Sequence, residues 1–140
     1  VIEGSDNFAT KFLAADAAKL AGVSIAQAGA VRFSGWALCS TAALRGACVR
    51  CLFEDIPRGM PETCAAAGVL GPVVGVLGAL QASLALSLLW EHDVTGTLFR
   101  YDALSCSLRR HRLARRGSCP LCAGDIQNLD PERYVGACAA

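Results

Sequence analysis

Two short cysteine pairs carry the plainest chemistry in this chain: Cys48-Val49-Arg50-Cys51 and Cys119-Pro120-Leu121-Cys122. A Cys-x-x-Cys turn aims two sulfurs at one point, and two such turns supply the four thiolates of a closed tetrahedral zinc site. The stretch Leu52 to Ser118 separates the pairs, so a shared ion would pin together distant parts of the chain. A pair of redox dithiols or disulfides fits less well, because a redox motif normally occurs singly, beside a helix start in a thioredoxin-like unit. Cys48, Cys51, Cys119 and Cys122 are therefore expected to form a structural zinc site. Cys39, Cys106 and Cys138 lack a partner spacing and are expected as core or surface thiols.

The rest of the composition narrows the classes of function. With 140 residues, 54% of them hydrophobic, the chain suits one domain with a real core, which excludes disorder as the main state. Thirteen basic and 12 acidic residues give a formal charge of +1, so no overall field draws nucleic acid or anionic lipid. The run from Leu108 to Arg116 could grip phosphates, but no aromatic residue interleaves with its arginines to stack bases. We read it as a solvated strand face and expect no nucleic-acid partner. His92 and His111 have no spaced partner and are expected at the surface. Eight cysteines would suit a secreted disulfide scaffold, yet Val1 to Asp6 form no signal peptide, so a reducing cytoplasm fits better.

Several elements must position these groups. Val1 to Glu3 reads as the end of a buried strand, followed by a polar turn in which Asp6 or Asn7 can cap a helix. Phe8, Phe12, Leu13, Ala17 and Leu20 recur at helical spacing, and Gly22 is a fitting stop. Ser24 to Ala28 and Val31 to Leu38 read as a hairpin turning at Gly29 and Ala30, with Gly35 as a bulge. Pro57, Gly59 and Pro61 mark Glu54 to Glu62 as a loop. Thr63 to Trp90 carries no charge and is long enough to span a bilayer. It also carries Gly68, Gly71, Pro72, Gly75, Gly78, Gln81 and Ser83 and lacks flanking basic residues, which suits a buried helix as well. Gly71, Gly75 and Ala79 share one face on which another backbone can approach. A closing hairpin is expected from Gly96 to Tyr101 and Ser105 to Leu113, and residues 125–140 form a short appendage to the domain of residues 1–124.

Three motifs resemble one family. Val1-Ile2-Glu3-Gly4-Ser5-Asp6-Asn7-Phe8-Ala9-Thr10-Lys11, the segment Cys48 to Phe53, and the segment Cys64 to Ala82 resemble the ubiquitin-activating-enzyme-like adenylyltransferases. Within them, the match is to bacterial members that activate sulfur-carrier proteins for molybdopterin or thiamine synthesis. The resemblance runs from Val1 to about Cys122, with the motifs in family order. It implies the C-terminal portion of a Rossmann-like α/β activating-enzyme fold, with mixed or antiparallel strands and a four-cysteine zinc site. The apolar helix becomes a buried core and dimer-interface element, so no membrane span is expected and a homodimer is.

The chemistry implied by the resemblance is ATP-dependent. Such enzymes bind ATP with magnesium and join the C-terminal Gly-Gly carboxylate of a ubiquitin-like sulfur-carrier protein to AMP, releasing pyrophosphate. Asp6 matches the family's acidic residue in the turn after a strand, a hard oxygen ligand suited to magnesium. Asn7 matches a nucleotide-contacting position, and Lys11 stands where the family usually has Arg, keeping the charge but losing the planar fork. Cys64, between a Pro/Gly-rich loop and the long helix, matches a cysteine that can attack the acyl-adenylate or join a sulfur relay. The loop from Leu52 to Thr63 is expected to be mobile, so that a carrier tail can thread toward the nucleotide.

The chain also departs from the family. Trp36 replaces a usual Gln, and Ala66 replaces a common Glu after Cys64. The family's nucleotide-binding strand, glycine loop and phosphate clamps belong to sequence before Val1, so a fragment that does not make an adenylate alone is expected. A non-catalytic zinc scaffold that binds a ubiquitin-like carrier or a dimer partner is the alternative reading.

Overall fold

The structure, a computed structural model, describes residues 1–43, 45–55 and 67–134. Cys64, Ala66, Cys138 and most of the loop expected to be mobile lie outside these residues. Five strands form one mixed sheet in chain order: β1 (Ile2–Glu3), β2 (Ile25–Val31), β3 (Ser34–Ser40), β4 (Thr97–Asp102) and β5 (Ser107–Arg112). β1 pairs parallel to β2 and every later pair is antiparallel. A parallel pair needs a crossover, and α1 (Phe8–Leu20) supplies it.

Several helix ends have a local cause. Asn7 is the N-cap of α1, its Oδ1 accepting the Thr10 N–H at 2.8 Å. Gly22, with φ +68°, turns the chain out of the helix. The long apolar helix, α3 (Gly71–Leu89), starts with Pro72 in its first turn, where a missing N–H costs nothing. Two single-turn helices hold the cysteine pairs, α2 (Val49–Leu52) and α4 (Pro120–Ala123), and Gly124 ends the latter with φ +88°.

The sheet sorts its residues by face. Ala26, Ala28, Ala30, Gly35, Ala37 and Cys39 share one face, and α3 lies on it with Val73, Leu77 and Leu84. Small side chains let the helix approach closely; a Cβ at Gly35 would collide with Leu77 Cδ1 and the Gly29 carbonyl. Gly35 therefore sits in a regular ladder opposite Ala30, and the expected bulge is corrected to a site of close packing. The hairpin turns at Arg32 and Phe33, where Arg32 takes φ +53°, and Gly29 and Ala30 extend β2. The earlier turn was expected because glycine suggests a turn, whereas here Gly29 makes room for the Trp36 ring.

On the opposite face α1, both cysteine turns and Ile126 surround Phe12 in a second core. Tyr134, in a single tight helical turn (Pro131–Tyr134), packs against it, so Ile126 and Tyr134 tie the described part of the expected appendage to this core. Glu3 is buried in β1, whereas Val1 and Ile2 are exposed at the sheet edge, so only part of that strand has the expected burial.

The helix α3 is long and apolar enough to cross a membrane. Its inner face nevertheless reads as a sheet-covering face, since Gln81 Nε2 donates to the carbonyls of Glu3 (2.6 Å) and Ala26 (2.9 Å). Burial of α3 is confined to that side; Val74, Leu86, Leu89 and Trp90 are exposed.

Candidate functional site

The four paired cysteines meet. Cys48 Sγ lies 3.9 Å from Cys51 Sγ and 3.6 Å from those of Cys119 and Cys122, and Cys51 lies 3.6 Å from Cys122. A disulfide needs about 2.05 Å, so the thiols are free. Four sulfurs about 2.3 Å from a central ion stand roughly 3.8 Å apart at the corners of a tetrahedron, which fits these separations. The cluster could hold one metal ion. Its chemistry favours a cation. Burial, and then the neighbouring thiols, push Cys48 far above the usual thiol range, and Cys122 is pushed up to about 11, chiefly by burial. At Cys51 burial also opposes ionisation, but backbone hydrogen bonds at Arg116 and Cys48 outweigh it and lower the thiol. A divalent ion at their centre would favour the thiolate form of its sulfur ligands.

Around the sulfurs lies a network that the spacing of cysteines did not reveal. Arg50, inside the first Cys-x-x-Cys turn, makes a two-pronged bond to Asp16 of α1, Nε to Oδ1 at 2.8 Å and a terminal nitrogen to Oδ2 at 2.7 Å. Both side chains are buried, and the Tyr134 hydroxyl donates to Asp16 Oδ2 at 2.8 Å. The guanidinium lies 4.4 Å from the Phe12 ring centroid. Burial works against the Arg50 charge, but the Asp16 carboxylate more than restores it and raises its pKa. The Arg116 N–H donates to Cys51 Sγ at 3.4 Å and its side chain to the Arg50 carbonyl at 2.9 Å. The available signal was the charged Arg50 in an otherwise apolar knuckle, paired with Asp16 on the Phe12 face of the helix.

The second candidate region is the strand–turn–helix at the other end of α1. Asp6 and Asn7 are exposed in the turn between β1 and α1, with Asn7 Nδ2 donating to Asp6 Oδ1 at 3.4 Å. Asn7 is thus already a helix cap, and the Asp6 side chain beside it is exposed. Lys11 is placed differently. It is 5% exposed, donating to Glu3 Oε2 at 3.1 Å and to the Ala28 carbonyl, with its Nζ 5.7 Å from the Trp36 ring centroid. Gln27 Nε2 joins by donating to Glu3 Oε2 (3.3 Å) and the Lys11 carbonyl (2.9 Å), while Glu3 Oε1 accepts the Ser5 N–H. In this geometry Lys11 secures the base of the turn and its charge is already matched. Glu3 and Gln27 were missed by sequence reasoning, although a lone Glu in an apolar strand was a sign.

The remaining chemistry-bearing residues are scattered. Cys39 is buried with Sγ 3.2 Å from the Val94 carbonyl, and burial, followed by Asp93, pushes its thiol up to about 12. Cys106 is exposed at the β4–β5 tip, and His92 and His111 are at the surface as expected.

Known proteins resemble this chain in sequence and in fold. A SAMP-activating enzyme E1 of Haloferax volcanii is 33% identical over 99% of this chain and 52% of its own length. A sulfur carrier protein adenylyltransferase of Thermus thermophilus is 35% identical over 99% of the chain and 54% of its own. A sulfur carrier protein ThiS adenylyltransferase of Escherichia coli is 38% identical over 94% and 51%, so the chain spans about half the length of these relatives. In fold, the crystal structure of Escherichia coli MccB matches 86% of this chain and 38% of its own, with a TM-score of 0.66 at 13% identity. The ThiF family pattern matches residues 1–121, and the chain belongs to the ThiF family, among the ubiquitin-activating-enzyme-like adenylyltransferases.

Proposed function

We propose that this chain is the carrier-recognising, zinc-stabilised part of an ATP-dependent adenylyltransferase. Its substrate is the C-terminal Gly-Gly carboxylate of a ubiquitin-like sulfur carrier serving molybdenum-cofactor or thiamine biosynthesis. In the reaction, a carboxylate oxygen of the carrier bonds to the α-phosphorus of ATP and the bond to the β-phosphate oxygen breaks, leaving an acyl-adenylate and pyrophosphate. The observation that carries this reading is the Asp6 carboxylate, exposed on a turn whose base is locked by Glu3, Lys11 and Gln27.

The residues divide the work. Cys48, Cys51, Cys119 and Cys122 would hold zinc, which supplies structure and no reactive position. Asp6 would hold magnesium, whose charge neutralises the phosphates. Asn7 keeps α1 capped while standing beside the nucleotide, and Lys11 acts through the turn by fixing its base. Cys64 is assigned the thiol that receives the activated acyl group or joins a sulfur relay, freeing AMP in the first case. The exposed apolar side of α3 supports a homodimer, and the free thiols support a cytoplasmic location.

In the complete polypeptide, Asp6→Asn is expected to cut carrier-dependent ATP–pyrophosphate exchange by about 100-fold or more, with thermal stability nearly unchanged because Asp6 is exposed. Exchange at the wild-type rate in a folded variant would remove Asp6 from the reaction.

A further inference from the structure

The run of basic residues read as a strand face outlasts the strand. β5 ends at Arg112, and Arg115 and Arg116 lie beyond it, just ahead of Cys119 and beside the sulfur cluster. Arg116 ties the two cysteine turns together through its backbone. Its N–H donates to Cys51 Sγ at 3.4 Å, and its carbonyl accepts the Cys119 N–H at 3.1 Å. Its side chain donates to the Arg50 carbonyl at 2.9 Å and pairs with Glu54. Arg115 works on the other turn, donating to the Cys122 carbonyl at 2.6 Å. A single helical turn leaves its last carbonyls without partners, and these two bonds satisfy one such carbonyl in α2 and one in α4.

The four sulfurs differ in reach. Cys48 and Cys119 are fully buried, whereas Cys51 and Cys122 are half-buried. A metal ion leaves such a site one ligand at a time, and water or a competing ligand arrives from the open side. Cys51 and Cys122, with sulfurs 3.6 Å apart, therefore mark that side. These are also the residues that the arginines hold, Arg116 at Cys51 Sγ and the carbonyl before it, Arg115 at Cys122 itself. Four thiolates around a divalent ion leave net negative charge, which favours cations nearby. Arg50 is already matched by Asp16, and Arg115 and Arg116 add two further cations.

We propose that Arg115 and Arg116 are positioning residues that clasp the solvent-facing pair Cys51 and Cys122, and so set how fast metal enters and leaves the cysteine site. This rests on the metal reading of the four cysteines given above and adds which side of the site opens. Groups that hold metal ligands from behind usually change metal affinity about 10–100-fold when removed. The general charge of the basic run explains less, because Arg109 and Arg110 carry the same charge but lie on β5, opposite Arg100 and Phe99 rather than against the cysteine turns.

The experiment follows zinc release from the complete, zinc-loaded polypeptide into a chromogenic chelator, and maps by mass spectrometry which cysteines N-ethylmaleimide alkylates first. Arg115→Gln/Arg116→Gln is expected to speed release about 10-fold or more. Arg115→Gln alone, at an exposed side chain whose loss leaves the fold intact, should speed it about 3-fold. Arg116→Lys, which keeps a donor for the Arg50 carbonyl, should release zinc more slowly than Arg116→Gln. Arg109→Gln/Arg110→Gln removes as much charge from β5 and should stay within about 2-fold of wild type. Alkylation is expected first at Cys51 and Cys122, faster in the double variant, with Cys48 and Cys119 labelled only after zinc has gone. Wild-type release and labelling rates in the folded Arg115→Gln and double variants overturn the clasp and leave the metal site standing. First labelling at Cys48 or Cys119 overturns it as well, and so does a β5 control that speeds release as much as the double variant. If the wild type retains no zinc, the metal site falls and the clasp with it.

Discussion

The two ends of α1 are held in opposite ways. Near its last turns, Asp16 ties the helix to the cysteine knuckle through Arg50, and burial within the knuckle raises the thiols of Cys48 and Cys122. At its first turn, Glu3, Lys11 and Gln27 satisfy one another and Asn7 caps the helix without help from any ligand. One end gathers four sulfurs that an ion would complete; the other is complete beneath and presents a carboxylate above. Rigidity is therefore built away from the turn proposed to react, and that turn inherits it through a helix of 13 residues.

The widest break in that comparison is metal removal. Chelation, or Cys48→Ser with Cys119→Ser, is expected to unfold the knuckle end, because a structural zinc contributes on the order of 10 kcal/mol to such folds. Elemental analysis should give one zinc per chain, and hydrogen exchange should show protection lost around α2 and α4 and retained longer in β2 and β3. A protein that stays fully protected without metal would make the cysteine cluster an ordinary core.

Cutting each ion pair sharpens the contrast. Arg50→Met leaves Asp16 buried and unpaired, and Lys11→Met does the same to Glu3, so each is expected to cost about 3–5 kcal/mol in denaturant unfolding. Only the Arg50 change should also weaken metal retention in a chelator competition, since its carbonyl and side chain brace the turn between Cys48 and Cys51. Equal metal loss in both variants would mean that the two ends are not separate devices.

How much of this could be read in advance depended on whether a residue's role was local. The Cys-x-x-Cys spacing placed the sulfurs, and the periodicity from Phe8 to Leu20, with Asp6 or Asn7 before it and Gly22 after, placed α1, because caps and amphipathic period act within a few positions. Gly29 and Gly35 misled, since their reason lies in Trp36 and Leu77, which reach them only after β3 pairs and α3 docks. Lys11 was legible as a cation but not as a buried one; its partners Glu3 and the Ala28 carbonyl come together only through the parallel pairing of β1 with β2. Burial on α3 was equally hidden, because a helix apolar all round gives no sign of which side meets the sheet. Asp16 and Arg50, 34 positions apart, had no spacing rule to join them.

Smaller perturbations test the self-sufficient end. Asn7→Ala removes the oxygen that accepts the Thr10 N–H and is expected to cost about 1 kcal/mol, read as a modest fall in the unfolding midpoint with metal content unchanged. A loss as large as that from Lys11→Met would show that the cap, rather than the buried cluster, secures the turn.

The smallest effect belongs to the metal end and is visible only in its pH dependence. Burial, and then the Asp16 carboxylate that accepts its proton, raise the Tyr134 hydroxyl above its usual value near 10. A group whose pKa is raised in the folded state contributes stability that is whole below its unfolded pKa and disappears as pH climbs through the folded one. Tyr134→Phe should therefore cost about 1 kcal/mol at neutral pH, the usual worth of one such hydrogen bond, and the gap to wild type should close above about pH 10. A gap that stays constant to alkaline pH would mean that the hydroxyl of Tyr134 contributes through packing, leaving Arg50 as the sole polar tie between Asp16 and the cysteine turns.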